Sequence, residues 1–467
     1  MRAKVILRGA LICLALALCL SSCVAPPQTE EQTTAPAVRD DFEPVVDDAA
    51  DSSLSKRYAE YKENADMAFK NATIAPENDF EYEINEFGVT VTSYIGASDI
   101  IVIPDQMDGK SVTGIAENAF DGANIRAIYI PDTVKSISAG ALGGCTGIST
   151  LRLPSSLGGE DADYLGYIFG ADEYAENAVT VPPTLDMVII GEGALTVPNN
   201  YFAGCKTLSA AILPKTITKI GEFAFYECRD LVYAELGESV AEIGEYAFAL
   251  CENLFCIDLG QAKVGLGALY SCSSLNRLTL ALDGKHLGYV FDAEISDYNS
   301  MFVPKSLRTV ELCEGEVKIT AKAFYGCQYL IDIILPRTLE DIGACAFSGC
   351  RSLTEMDLGD SIKTLGEGAF FGCDALHSVN FGKELASIGM QAFYGCTALK
   401  EVKIPDKVTE IKPSTFCGCS SLERVDLGRV TGIGKDAFLG CDALKDVTVD
   451  NGVTIADGND ALTGAKK

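Results

Sequence analysis

Cysteine returns along this chain at a fixed step of 23 residues, as Cys205, Cys228 and Cys251 and again as Cys327, Cys350, Cys373, Cys396 and Cys419. Cys272 and Cys441 keep the ladder at steps of 21 and 22, Cys145 belongs to it, and Ala123 holds the cysteine position in a degenerate first copy. The residues around each cysteine repeat as well, in the form Ile-Gly-x-x-Ala-Phe-x-Gly-Cys-x-x-Leu-x-x-Val-x-Leu-Pro. One copy reads Ile342, Gly343, Ala346, Phe347, Gly349, Cys350, Leu353, Met356 and Leu358, and twelve copies align. A 23-residue unit cannot bury its apolar face alone, so neighbouring copies must stack, each closing the core of the next.

Within a unit, Leu-x-x-Val-x-Leu ends on a period of two, which points Val and the second Leu inward and the residues between them outward on a short strand. Stacking then sets these strands in parallel, about 4.8 Å apart. The Ile-Gly-x-x-Ala-Phe-x-Gly-Cys half supplies the return path. Glycine permits the tight corner, Ala and Phe fill the interior as a small and large pair, and Cys takes a narrow site. Short helical or 3₁₀ turns are expected there.

A longer period is superposed on the first. Leu165 to Ala171 (LGYIFGA) recurs 122 residues later as Leu287 to Ala293 (LGYVFDA), and the segments that open at Val181 and Val303 match in the same way. Gaps in the cysteine ladder, at about 155–195 and 281–317, are therefore duplicated inserts. Each keeps the strand signature, as Leu185, Val188 and Ile190 and as Leu307, Val310 and Leu312. Each is expected to add a turn to the stack, giving about fourteen turns and a length of roughly 65–70 Å on the strand spacing.

The ends of the chain have a different character. Arg2, Lys4 and Arg8 precede an apolar run from Ala10 to Leu20 that is too short to span a bilayer, and residues 1–22 read as a targeting segment. Leu20-Ser21-Ser22-Cys23 resembles the bacterial lipobox, which implies cleavage before Cys23 and a diacylglycerol on its thiol. Residues 23–54 carry Pro, Thr and acidic groups with little to bury, the composition of a tether. Residues 55–79 hold a short helical segment with Tyr58, Tyr61, Met67 and Phe69 as its apolar groups, expected to cap the stack or fray. Residues 80–122 are the N-terminal strand region and first repeat, 123–449 the repeat array and 450–467 a tail. With 66 acidic against 37 basic residues the net charge is −29, which disfavours nucleic acid and anionic lipid surfaces. Any membrane association is expected through the N-terminal lipid only.

The repeat resembles the BspA-like class of bacterial leucine-rich repeats from about Phe80 to Val449. That resemblance implies a leucine-rich-repeat solenoid, predominantly β, with parallel stacked strands. It also implies an extracytoplasmic protein at a bacterial cell surface, engaged in adhesion or protein binding, with a host matrix protein or another cell's surface protein as partner. An envelope scaffold and a glycan-capturing lipoprotein are the alternatives, and the absence of Trp argues against the aromatic platforms that glycan capture uses. Pro or Gly follows the strand at Pro214, Gly237, Pro336, Pro405 and Gly428, where better-known repeat classes carry an Asn ladder.

Little in the chain suggests catalysis. Only His286 and His377 are present, both expected at the surface, and no HExxH motif, P-loop, dinucleotide fingerprint or nucleophile elbow occurs. No cofactor, metal or enzymatic activity is expected. Cysteines in a line do not form the tetrahedron that zinc needs, and parallel rungs hold Cβ atoms slightly too far apart for disulfides. The ladder therefore reads as buried thiols, whereas Cys256 falls on an outward strand position and Cys313, Cys345 and Cys417 lie off the ladder. The inserts gather Asp161, Asp163, Asp172, Glu173 and Glu176, and then Asp292, Glu294 and Asp297, read as solvated acidic loops without a fixed calcium motif. The candidate binding face is the row of outward strand residues, among them Tyr129, Arg152, Ile212, Tyr233, Glu235, Asp258, Arg277, Ile334 and Asp357. Tyr129, Ile212, Tyr233 and Ile334 place apolar groups where water is expected, and aromatic anchors are enriched at binding hot spots.

Overall fold

The computed structural model describes residues 54–61, 69–159, 162–448, 453–459 and 462. The targeting segment, Cys23, the tether up to residue 53, Met67, Asp161 and most of the tail lie outside the described residues.

Fifteen short parallel strands stack in one array from Ile100–Val102 to Asp446–Thr448, hydrogen-bonded as four successive sheets that break after Tyr233–Glu235, Asp332–Ile334 and Ser378–Asn380, and Ile74 adds a single bridge to Val102 below the first of them. The array thus has about sixteen turns. The two beyond the fourteen expected from sequence are those of Ile74 and Ile100–Val102, which precede the first aligned copy. Pairing follows the sequence period: Ala210, Ala211 and Ile212 face Tyr233, Ala234 and Glu235. The inserts keep register, since Met187–Ile190 lies between Thr150–Leu153 and Ala210–Ile212, and Thr309–Leu312 between Arg277–Leu280 and Asp332–Ile334. Middle residues such as Ala211, Leu278, Val310 and Val425 are fully buried, as period-two alternation requires.

The return path differs from the expected helical turns. Each Ile of the Ile-Gly pair lies on a two-residue strand, as in Lys219–Ile220, Glu242–Ile243 and Lys263–Val264, which form a second parallel ladder. The Ala-Phe segment that follows is a pair of hydrogen-bonded turns whose remaining N–H groups reach the next rung, Phe225 N to Ala247 O at 2.7 Å and Glu227 N to Ala249 O at 2.9 Å. A helix would use those donors internally, whereas a stacked turn spends them on its neighbour. Two glycines make this path possible. A Cβ at Gly389, in the Ile-Gly corner, would meet the backbone of Gly366 in the preceding rung at 2.3 Å, and Gly372, before Cys373, has φ of +67°.

Among the described residues helical structure lies in the inserts, in the N-terminal region and at Leu462. The first insert has 3₁₀ turns at Leu165–Phe169 and Tyr174–Glu176 and a helix at Asn177–Thr180; the second repeats these at Leu287–Phe291, Ser296–Tyr298 and Asn299–Phe302. At the N-terminus, Phe80–Asn85 pairs antiparallel with Gly88–Tyr94, which in turn pairs in parallel with Lys110–Ile115 and covers the first edge of the second ladder. The core is one continuous column. Phe202, Phe225 and Phe248 stack at 4.9 and 5.0 Å between ring centroids, and Phe324, Phe347, Phe370, Phe393, Phe416 and Phe438 at 5.1 to 5.5 Å.

Candidate interaction face

The outward positions of the strand ladder divide into two zones. From Cys256–Asp258 onward the row is largely open, with Asp258, Arg277, Asp332, Ile334, Glu355, Asp357, Glu401, Lys403, Arg424 and Asp446 all exposed. Nearer the N-terminus it is not. Tyr233 and Arg152 are only 6% exposed, Ala210 is fully buried, and Tyr129 and Ile212 are half-buried, although Glu235 remains exposed. The expectation of an exposed Arg152 and Tyr233 is therefore corrected, and two local causes account for it.

The first is the segment that precedes the array. A helix over residues 54–61 lies on the strand face, with Tyr58 edge-on to Tyr233 at 5.3 Å and tilted against Phe255 at 6.3 Å. Tyr58 and Tyr61 join Met187, Ile189, Ala210, Ile212 and Tyr233 in an apolar cluster separate from the main core. Polar contacts frame it: Tyr61 donates its hydroxyl to Asp186 Oδ1 at 2.7 Å, and Arg57 Nη2 donates to Ser209 Oγ at 3.2 Å. Burial pushes both tyrosine hydroxyls above their ordinary pKa. Further along, Phe69 meets Tyr129 edge-on at 5.5 Å. Tyr58 and Tyr61 were visible in the sequence as an amphipathic pair, but the surface they would cover was not.

The second cause is local to Arg152. Its guanidinium turns back along the rungs, donating to Ile130 O at 2.6 Å and pairing with Asp132 at 2.5 Å, and it lies 4.5 Å from the ring centroid of Tyr129. Asp132 also accepts the Ser155 N–H. Arg152 thus ties two neighbouring rungs together rather than reaching for a ligand. The open zone carries its own inter-rung pairs, Arg277 with Glu311 at 2.6 Å and Arg424 with Glu401 and Asp446 at 3.3 and 3.4 Å. Being exposed, these pairs contribute little stability and leave the charges available.

The eleven ladder cysteines, Cys145, Cys205, Cys228, Cys251, Cys272, Cys327, Cys350, Cys373, Cys396, Cys419 and Cys441, are all buried, and no disulfide joins the described cysteines. They do more than fill space. Cys373 Sγ donates to Phe347 O at 3.2 Å and Cys396 Sγ to Phe370 O at 3.2 Å, and seven other ladder thiols make the same bond to a phenylalanine carbonyl one rung back. Burial raises the thiol pKa, to about 11 at Cys145 and about 12 at Cys441, and well above the ordinary value for Cys228, Cys350 and Cys373. Among the off-ladder thiols, Cys345 and Cys417 are buried, and Cys256 and Cys313 are half-buried.

Where an insert interrupts the ladder, a buried asparagine bridges the gap. Asn177 accepts from Gly166 N at 2.8 Å and donates to Tyr201 O and Ala203 O. Asn299 repeats this with Gly288 N and Ala323 O, and receives His286 Nδ1 at 2.8 Å. His286, expected at the surface, is thus half-buried with a structural partner, whereas His377 is exposed. Of the insert acids, Asp292 accepts the Tyr246 hydroxyl at 2.6 Å, Glu176 accepts the Asp172 N–H, and Asp297 pairs with Lys322. Among the described residues no group of three His, Cys, Asp or Glu converges as metal ligands would, and no helix is long and apolar enough to cross a membrane.

A parallel strand ladder, a second ladder on the return path and a column of core phenylalanines define a leucine-rich-repeat solenoid whose outward strand positions form a continuous face. The model of the BspA-type leucine-rich-repeat region matches residues 99–159, 195–313, 293–422 and 343–461, well over half of the chain, and the chain belongs to that family. The family is a repeat scaffold and indicates no catalytic class. No curated protein matches the sequence. Among solved structures, a leucine-rich repeat protein from Bacteroides ovatus is 22% identical over 72% of this chain and 95% of its own, with a TM-score of 0.35. A leucine rich cell surface protein from Faecalibacterium prausnitzii is 21% identical over 85% of this chain and 99% of its own, with a TM-score of 0.29. The leucine-rich repeat protein of T. pallidum is 17% identical over 80% of this chain and 91% of its own, at 0.17.

Proposed function

We propose that this protein is a protein-binding module displayed outside a bacterial membrane, held by lipid at Cys23, and that it meets its partner with the open part of the strand face. The observation that carries this reading is the row of outward strand residues from Asp258 to Asp446, most of them exposed and only Thr279, Thr309, Glu311 and Asp426 half-buried, left uncovered by the rest of the described chain. Six exposed acids on that row, Asp258, Asp332, Glu355, Asp357, Glu401 and Asp446, outnumber the exposed cations Arg277, Lys403 and Arg424. Such a face attracts a basic surface on another protein and repels acidic ones, and the encounter weakens as salt rises. Ile334, 38% exposed among those charges, supplies an apolar contact near the middle.

Adhesion to a host matrix or neighbouring-cell protein is the role that fits a membrane-anchored scaffold of this kind. Glycan capture is less well supported. Outside the core, Phe371 and Tyr394 stack on each other at 4.8 Å and 3°, which takes up one face of each ring that a sugar could use. The test is affinity capture of surface proteins by the intact chain without its first 23 residues, beside a variant carrying Asp332→Lys, Glu355→Lys and Asp357→Lys. A partner retained by the first and lost from the second supports the strand face. Equal retention by both removes it. Cys23→Ser is expected to leave the precursor uncleaved and unlabelled by radioactive fatty acid, and normal processing of that variant would remove the anchor.

A further inference from the structure

The covered zone of the strand face has the chemistry of a docking surface. Without the 54–61 helix, Met187, Ile189, Ala210, Ile212 and Tyr233 would form a contiguous apolar patch on adjacent outward positions, bordered by Asp186, Glu235 and Asp258. Patches of that kind on an otherwise charged surface mark sites of association. The described part of the helix, residues 54–61, is held on the patch by side-chain packing and two polar contacts. Leu54, Tyr58 and Tyr61 fall on one stripe of it by their spacing of four and three residues, while Ser55, Lys56, Ala59 and Glu60 face solvent. Among the described residues its grip consists of two aromatic rings, one hydroxyl on Asp186 and one guanidinium on Ser209.

We propose that the 54–61 helix is a displaceable occupant of a docking surface built by residues 186–258. The segment that replaces it would have the same chemistry: a helical turn bearing two aromatic side chains three residues apart, with a cation beside the first. The patch adjoins the open acidic row through the Cys256–Asp258 strand, so a partner bound to that row can extend such a segment onto it. This inference rests on the strand-face reading above and adds a second contact zone that is closed until a competitor opens it. The aromatic rings favour an aromatic occupant, because Tyr233 and Phe255 offer an edge and a tilted face to a ring. Asp186, Glu235 and Asp258 favour a cationic flank.

The probe is a fluorescent peptide of residues 52–63, titrated by anisotropy into the full chain and into two full-chain variants. Tyr58→Ala/Tyr61→Ala removes the grip. Ala59→Pro breaks the helix from its exposed side and alters no contact with the solenoid. Both variants are expected to bind the peptide at least tenfold more tightly than the unaltered chain, and a peptide with both tyrosines changed to Ala should bind none of them. In parallel, alkylation of half-buried Cys256, read by peptide mass mapping, should speed up several-fold in both variants while the core thiols stay unmodified. Equal peptide binding by all three proteins would overturn the competition. No binding to either variant, with both folded by circular dichroism, would show that the helix is fixed cover and not an occupant. Neither result bears on capture of partners by the open acidic row, so the two readings fail separately.

Discussion

Truncating Phe370 to Ala should be among the most damaging single changes in the array, and its neighbour Phe371 provides the control. Phe370 is fully buried, with rings stacked on both sides, Phe347 at 5.1 Å and Phe393 at 5.2 Å, and its carbonyl accepts the Cys396 thiol. Removing a buried Phe side chain costs about 3–5 kcal/mol through lost transfer and the cavity left behind. Two stacked pairs, each contributing roughly 0.5–1.5 kcal/mol beyond area, place this site in the upper part of that range, about 4–5 kcal/mol. Phe371 is 38% exposed and has one stacked partner, Tyr394, so Phe371→Ala should cost only about 1–1.5 kcal/mol. Each rung contacts only its neighbours, so the damage should be local. Urea unfolding followed by circular dichroism measures the loss, and hydrogen exchange maps it: rungs from Phe347 to Cys396 should lose protection while Ala127–Leu153 keeps it. Equal costs for Phe370→Ala and Phe371→Ala, or a uniform loss of protection along the chain, would refute the stacked-column account.

Other perturbations follow from the same contacts. Arg152→Ala should destabilise by about 2–3 kcal/mol, since it removes charge-assisted bonds to Ile130 O and Asp132, and Arg152→Lys should recover little because an ammonium cannot serve both acceptors in a fork; thermal melts of the three proteins decide this. Asn299→Ala strands the Gly288 N–H and takes the acceptor from His286 Nδ1, while the Ala323 carbonyl keeps the Leu287 N–H, at a cost of about 1–3 kcal/mol, and exchange should rise first over Leu287–Phe302. Stability should also decline in alkali. Buried thiols such as Cys145 and Cys441, raised to about 11 and about 12 from an ordinary 9.0, keep protons that the unfolded chain sheds. Their contribution is complete below about pH 9 and is lost as pH climbs through 11 to 12. A urea midpoint that stays constant from pH 8 to pH 11 would contradict buried, protonated thiols.

The fold was legible because its information is periodic. The same positions recur in every copy, so Phe347, Cys350 and Met356 could be assigned inward from spacing alone, and the inserts could be recognised as solenoid turns because Leu185, Val188 and Ile190 repeat the strand signature. What spacing could not show was non-periodic. The extra rung at Ile100–Val102 lacks the cysteine text, and the return path forms a second ladder because its N–H groups bond between copies, which no single unit displays. The role of cysteine as a donor to a phenylalanine carbonyl was hidden for the same reason.

The exposure of the candidate face was legible only in part. Alternation correctly put Glu235, Asp258, Arg277, Ile334 and Asp357 outward and exposed. It also put Tyr233 and Arg152 outward, and there it met two things that a repeat pattern omits: a helix contributed by a segment 125 to 175 residues distant in sequence, and a guanidinium long enough to fold back onto Ile130 O and Asp132. Outward along a strand and open to solvent are separate properties. The cluster of Tyr58 and Tyr61 one helical turn apart was the available signal that something apolar awaited them.

The claim that the open strand face is the binding surface is tested most directly by site-specific photocrosslinking on living cells. A benzoylphenylalanine would be placed at Ile334, in the middle of the open row, and in a separate strain at Leu439, which is 50% exposed on the turn side of the array. The account predicts a protein adduct of discrete mass from Ile334, weakened by high salt, and none from Leu439. Adducts of equal yield from both positions, or from Leu439 alone, would contradict it.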